Sequence, residues 1–252
     1  MKRNKTGVTF VLKMGKILRK REAAHMAREE DETGVLTAEI WRSWPSRKRA
    51  RTMNSLSGFK SATLVGTSSE EGAHNLSIVS SVVHLGSTPA LMGMVLRPPG
   101  ADSHTYRNLC ATQQCTFSHV NARIYQQAHQ CSARYAKDVS EFTAVGLTPW
   151  TPSVAEWIAP AVSEASIRLG LNLEDDIVLP NDCHLMVCSL QWAVIPENVR
   201  APDGYVDIGA AETVTISGLD GYHQTSPLGR LSYAKVGESV RRQADVMEGW
   251  ED

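Results

Sequence analysis

Beyond residue 58 the chain alternates short apolar runs with clusters of Gly, Ser, Pro and charged residues. KSATLVGTSS, residues 60–69, predicts a strand closed by the polar turn SEEGAH. NLSIVSSVVHL, residues 75–85, predicts a second strand, and ALMGMVLR a third that stops at Pro98-Pro99-Gly100. DSHTYRNLCATQQ has helical spacing, with Tyr106, Leu109 and Cys110 on one face. CTFSHVN returns to a strand, and ARIYQQAHQCSARYAKDVSEFTAVG reads as helix ending at a C-cap glycine, Gly146. EASIRLGLNLE, CHLMVCSLQWAVIP and YVDIGAAETVTISG follow, and in the middle one Met186, Cys188, Leu190, Trp192 and Val194 alternate onto one face. Many short strands and few helices in one uninterrupted block predict a mainly β protein, a barrel or related closed sheet with added helices.

The two ends differ from this block. Residues 1–33 are basic, then acidic, with little core periodicity, and predict a flexible or helical extension. A nucleic-acid or partner-binding arm, or translation starting later, for example at Met26, are the alternative readings of that segment. LTAEIWRSWPSRKRARTMNSLSG predicts a helix capped by Thr37, followed by a basic stretch. The domain is placed at residues 34–240, with a C-terminal tail at 241–252.

Composition narrows the class. The 252 residues carry 26 Lys and Arg against 27 Asp and Glu, a net charge of -1, so no overall electrostatic pull toward nucleic acid or an anionic membrane is expected. The apolar run GVTFVLKMGKIL is interrupted by Lys13 and Lys16 and is too short to span a bilayer. Five cysteines, an odd number, read as reduced thiols of a cytoplasmic protein. Cys183 and Cys188, five apart on a strand, point to opposite faces, so no metal site is expected there. No nucleophile elbow, Walker loop or dinucleotide-binding glycine motif is present in the sequence.

What is left is a distributed polar set. Thr67 and Ser68 end the first strand, Asn75, Ser77, Ser80 and Ser81 line the second, Arg97 ends the third, and Ser103, His104 and Thr105 open a helix. A helix start has unpaired N–H groups and a positive dipole end, so these last groups beside Arg97 suit a phosphate. The same residues also read as an N-cap and a surface histidine, Asn75 as a turn residue, and the Ser80–Ser81 pair as hydroxyls bonding their own sheet.

The stretch GFKSATLVGTSSEEGAHNLSIVSSVVHLGSTPALMGMVLRPPGADSHTYRNL resembles the flavin reductase-like, FMN-binding split-barrel family, of flavoprotein oxygenase or flavin reductase type. The likeness continues to about Val236. It implies a six-stranded split barrel with extra helices, working as a homodimer with flavin in the inter-subunit cleft. It implies that Thr67, Ser68, Asn75, Ser80 and Ser81 lie against the flavin ring and ribityl chain, and that Arg97, Ser103, His104 and Thr105 hold the phosphate. Family members often carry Lys where His104 stands, and imidazole titrates near neutrality. The resemblance further implies FMN (or FAD) as cofactor, NAD(P)H as co-substrate, and His223, Arg230 and Tyr233 as substrate contacts; for Tyr233 plain packing is the alternative. A flavin-binding or redox-sensing protein without turnover is the competing function. One geometric condition follows from the pleat: Asn75 and Ser80, five apart, face the same ligand only if Asn75 belongs to the turn or the strand is re-aimed between them.

Overall fold

A computed structural model of the chain describes residues 34–100, 103–136 and 138–242. The proposed 1–33 extension and residues 243–252 of the tail lie outside the described residues. The chain divides into two units, residues 1–57 and residues 58–252.

In the first unit, α1 (Ala38–Ser43) starts at Thr37, whose Oγ1 accepts from Ile40 N, and gives way to α2 (Ser46–Leu56) at Pro45. Trp44 is extended because the residue before a proline is pushed out of the helical region. The Arg49 guanidinium donates to the carbonyls of Arg42 and Trp44, satisfying the open C-terminal end of α1. The basic stretch is therefore itself a helix.

The second unit begins with β1 (Lys60–Ser61), β2 (Thr63–Ser68), β3 (His74–Val79), β4 (Val82–Ser87) and β5 (Ala90–Leu96). Next come α3 (His104–Thr112), β6 (Gln114–His119), α4 (Tyr125–Gln130), α5 (Glu141–Val145), β7 (Pro149–Trp150) and β8 (Ala161–Val162). The long hairpin β9 (Arg168–Val178) and β10 (His184–Val194) precedes a single 3-10 turn, β11 (Thr215–Ser217) and β12 (Gly221–His223). Seven strands form one antiparallel sheet in the order β3-β2-β6-β9-β10-β5-β4, and β1, β11 and β12 form a separate small sheet.

The edge strands β3 and β4 are separated in sequence only by Ser80 and Ser81. Laid flat, seven strands would hold their edges about 29 Å apart, whereas three Cα steps reach about 11 Å. The sheet must therefore curl until its edges meet, and Val95 N of β5 already donates to the Ser81 carbonyl at 3.0 Å. Among the described strands no ladder joins β3 to β4. The result is a split barrel. The predicted single strand 75–85 is thus two strands, and the sheet has seven where the resemblance implies six.

Val65, Met94, Cys115, Phe117, Leu171 and Met186 fill the barrel, and each of the Val, Leu, Phe and Met side chains is worth about 1.5–3 kcal/mol of burial. Outside it, Leu64, Leu76 and Phe142 pack with Ala128, Val214 and Ile216 in a second core under α4, α5 and the small sheet. The long helix predicted over residues 122–146 is only these two short helices, although Gly146 does end α5 in a left-handed conformation, φ 72°. The single-face alternation expected for β10 also fails at its end. A bulge between Leu190 and Trp192 inserts Gln191 and sends Trp192 out over Gly170, beside Trp150 and Trp157.

Candidate functional site

The inner faces of β2 and β3 change from apolar to polar toward one end of the barrel. Val65 is followed by Thr67 on β2, and on β3 Ser77 and Asn75 stand opposite Val65 and Thr67. α3 crosses this end, with Leu109 buried in the barrel core and Tyr106 and Cys110 packed beside it, as the helical spacing predicts. Thr105 and Asn108, three residues apart, reach the strands. Asn75 Nδ2 donates to Thr67 Oγ1 at 3.2 Å and to Thr105 Oγ1 at 2.9 Å. Thr105 Oγ1 donates onward to Ser77 Oγ at 2.9 Å, and Asn108 Nδ2 donates to Thr67 Oγ1 at 3.3 Å.

An open cleft of about 270 Å³ adjoins this network, walled by His74, Asn75, His104, Arg107, Asn108 and Glu141 among others. Glu141 is buried at the start of α5, and its Oε2 accepts from Leu76 N at 3.0 Å, an N–H on the free edge of β3. Burial pushes the His74 imidazole below its ordinary value, so it is neutral at pH 7.

Asn75 is the second residue of β3, laddered to Thr67, and not part of the preceding turn. The strand breaks between β3 and β4 at Ser80, which is half-buried, and Ser81, which is exposed; neither lines the cleft with Asn75. Ser68 is buried, and its hydroxyl donates to the Ser69 carbonyl. Arg97 is exposed just beyond β5. Ser103 occupies the N-cap position of α3, yet its Oγ accepts from Gly100 N at 2.8 Å and makes no capping bond, so the first turn of α3 has no side-chain cap. Thr67, Asn75 and Thr105 are thus brought into one hydrogen-bonded group, and His104 shares the cleft wall with Asn75.

The three residues implied as substrate contacts do not line this cleft. His223 is in the small sheet, 2.8 Å from Ser217 Oγ and edge-on to the Phe59 ring. Arg230 pairs with Asp203 and lies over the Tyr205 ring. Tyr233 is exposed. Residues the sequence did not single out, His74, Arg107, Asn108 and Glu141, complete the cleft; the T-x-x-N spacing of Thr105 and Asn108 on one helix face was the available signal for Asn108. Cys188 is buried inside the barrel beside Cys115, and no group of three His, Cys, Asp or Glu among the described residues could hold a metal ion.

The donor set fits a flavin. Asn75 has both its amide bonds made through Nδ2, and its Oδ1 accepts no hydrogen bond among the described residues, leaving an acceptor at the cleft. Among the described residues no N-cap side chain bonds to the first turn of α3, whose N–H groups suit an anion.

A split antiparallel barrel with such a cleft at one end defines the architecture of the split-barrel flavoproteins. The chain belongs to the flavin reductase like domain family, which matches residues 56–212. It is similar to a candidate flavin reductase with a split barrel domain from Shewanella frigidimarina NCIMB 400, at 44% identity over 79% of this chain and 99% of that one, with a TM-score of 0.75. Two more distant structures share the fold. Nitrilotriacetate monooxygenase component B from Bacillus cereus is 17% identical over 78% of this chain and 98% of its own, TM-score 0.69. The NADH:FAD oxidoreductase of Streptomyces globisporus C-1027 is 16% identical over 72% and 95%, TM-score 0.53. No curated protein matches the sequence. No described helix is long and apolar enough to cross a membrane.

Proposed function

We propose that the protein is a flavin-dependent oxidoreductase of the flavin-reductase type, with FMN as its flavin, NAD(P)H as hydride donor and a homodimer as its working form. The observation that carries this reading is the Asn75–Thr105–Ser77–Thr67 group set beside an open cleft, with Asn75 Oδ1 unused. The similar Shewanella protein is a candidate flavin reductase, and the Streptomyces structure is named for NADH and FAD, which supports the reaction type and keeps FAD as the alternative cofactor.

When bound, the flavin supplies the redox chemistry. The chain's task is to hold and orient it. The two bonds from Asn75 Nδ2 fix the amide so that Oδ1 is presented as an acceptor for a ring or ribityl N–H or O–H. Thr67 and Ser68 on β2, with Ser80 and Ser81 just beyond β3, are the further groups for the ring and ribityl chain. The N–H groups of the first turn of α3, with His104 and Arg97, supply donors and positive charge for the phosphate. The Thr105 hydroxyl is already committed to Ser77. His74, held neutral by burial, adds no charge to the cleft wall.

The test is direct. The purified full-length protein should carry or take up FMN, and anaerobic NADH or NADPH should bleach its visible flavin absorbance. A yellow protein inert to both nicotinamides would make it a flavin-binding or redox-sensing module. A colourless protein that neither FMN nor FAD reconstitutes would overturn the reading altogether.

A further inference from the structure

We infer that Asp176 is a positioning residue that sets the roll of α3 across the barrel end, and through it the placement of Thr105 and Asn108. The inference rests on the flavin reading of that site. It starts from the way α3 is tied on two sides. On one side Thr105 and Asn108 bond to Ser77, Asn75 and Thr67 of β2 and β3. On the other, Tyr106 Oη donates to Asp176 Oδ2 at 2.8 Å, and Asp176 Oδ1 lies 2.7 Å from His184 Nδ1. Asp176 and His184 belong to β9 and β10, which β6 separates from β2 in the sheet. The helix therefore spans the barrel mouth with a polar anchor at each flank and Leu109 buried between them.

The Asp176 anchor is more than a surface ion pair. The His184 and Asp176 side chains are only 13% and 24% exposed, and the Tyr106 and His184 rings meet edge-on with centroids 4.8 Å apart. A hydroxyl donating to a carboxylate is among the stronger neutral-donor bonds. The Asp176 bond, then burial, pushes the Tyr106 phenol well above its ordinary value, so the hydroxyl stays a donor at every working pH.

Geometry then couples the two flanks. Thr105 and Tyr106 are successive residues, about 100° apart around the helix axis. A roll of about 10° moves atoms at the side-chain radius of about 5–6 Å by roughly 1 Å. That displacement is enough to lose a hydrogen bond of 2.9 Å such as the one from Asn75 to Thr105. With the Asp176 anchor in place the roll is fixed and the cleft wall is set before flavin arrives, which lowers the ordering cost of binding.

The experiment uses the full-length protein, with Tyr106→Phe removing one hydroxyl and Asp176→Leu keeping a side chain of similar shape that can neither accept from Tyr106 nor bond to His184. Leu147→Ala, in the outer core away from α3, serves as a control for general destabilisation. FMN affinity is measured by fluorescence titration well below the unfolding temperature, and hydrogen exchange of the α3 amides is measured without flavin. Both anchor variants should weaken FMN about 5- to 10-fold, the loss of one well-made hydrogen bond, and should speed α3 exchange. Leu147→Ala should lower Tm and leave FMN affinity within about twofold of the unsubstituted protein. Anchor variants that bind FMN like the unsubstituted protein, or a control that weakens FMN equally, would overturn the inference. If the unsubstituted protein binds no flavin, the flavin reading falls instead, and unchanged α3 exchange in the variants would then refute the anchor on its own.

Discussion

Burial decides the charge of two histidines at strand ends, His74 on β3 and His119 on β6. Both are pushed below the ordinary 6.5 by desolvation, the only cause acting on either. Above pH 6.5 folded and unfolded chains are alike neutral at these sites, and they contribute nothing to the pH dependence. As pH falls below that value the unfolded chain takes up protons that the folded one refuses, so stability drops from there down to the folded pKa values. Asp203 does not confound this window, because the Arg230 hydrogen bond lowers a carboxyl whose ordinary value is already 3.8. The urea midpoint should therefore fall between about pH 6.5 and pH 5 and be level from about pH 7 to pH 8. His74→Gln combined with His119→Gln should flatten that slope; an unchanged slope would show that neither imidazole is desolvated. At this scale the sequence was partly legible. Asn75, Ser77 and Thr105 stand out as polar residues in or beside apolar runs, but their mutual bonds join positions 28 and 30 residues apart and follow from the fold alone. The Ser103 hydroxyl shows the opposite limit: an N-cap residue by type, it turns back to Gly100 N.

Among the strands of six or more residues, β2 alone is buried along its whole length, and Gly66 shows why. A Cβ there would lie 1.8 Å from the Pro160 carbonyl oxygen and 2.7 Å from Thr116 Oγ1, which itself donates to that oxygen at 2.6 Å. The segment between β7 and β8 thus lies directly on the backbone of β2, and a backbone oxygen cannot yield as a flexible side chain can. Gly66→Ala should cost about 3 kcal/mol, the upper range for overpacking, and lower Tm by roughly 6–12 °C in a domain of this size. Thermal unfolding followed by circular dichroism checks it, and a loss under about 1 kcal/mol would mean that the segment lifts away freely. Periodicity located most of the elements because one face of each packs on a core. It failed where a distant partner sets the local path. The extra residue Gln191 turns Trp192 outward because Gly170 leaves room for an indole and Trp150 and Trp157 wait on that face. The break at Ser80–Ser81 exists because the sheet closes there, which no window of eleven residues can contain.

At the scale of the molecule, mainly β content and a closed sheet were legible from strand spacing, whereas the outer surface needed coordinates. Cross-strand pairing places Val83 beside Gly93, Gly93 beside Val187, Val95 beside Leu185 and Leu185 beside Ile177, all on the face opposite the buried Met94 and Met186. Side chains of Val83, Leu85 and Leu185 close over Gly93, where a Cβ would sit 3.0–3.2 Å from each. Val83 is 47% exposed, Leu85 42% and Ile177 43%, so β4, β5 and β10 with Ile177 of β9 present an apolar outer face, bordered on β9 by the exposed Asp175 that pairs with Val187. A face of this kind on an isolated chain marks an interaction surface, and a second copy across a two-fold axis would cover it with an identical one. This is where the proposed homodimer is expected to form. Leu85→Glu tests it, since an exposed substitution costs an isolated chain within about 0.5 kcal/mol. The same carboxylate buried unpaired at an interface costs about 3–5 kcal/mol on each side. Sedimentation velocity at micromolar concentration should find a dimer for the unsubstituted protein and a monomer with near-native circular dichroism for Leu85→Glu. If the flavin lies between subunits, the monomer should also lose FMN on gel filtration while the dimer retains it. A variant that stays dimeric would move the interface off this face, and one that is monomeric yet keeps its FMN would place the whole flavin site within a single chain.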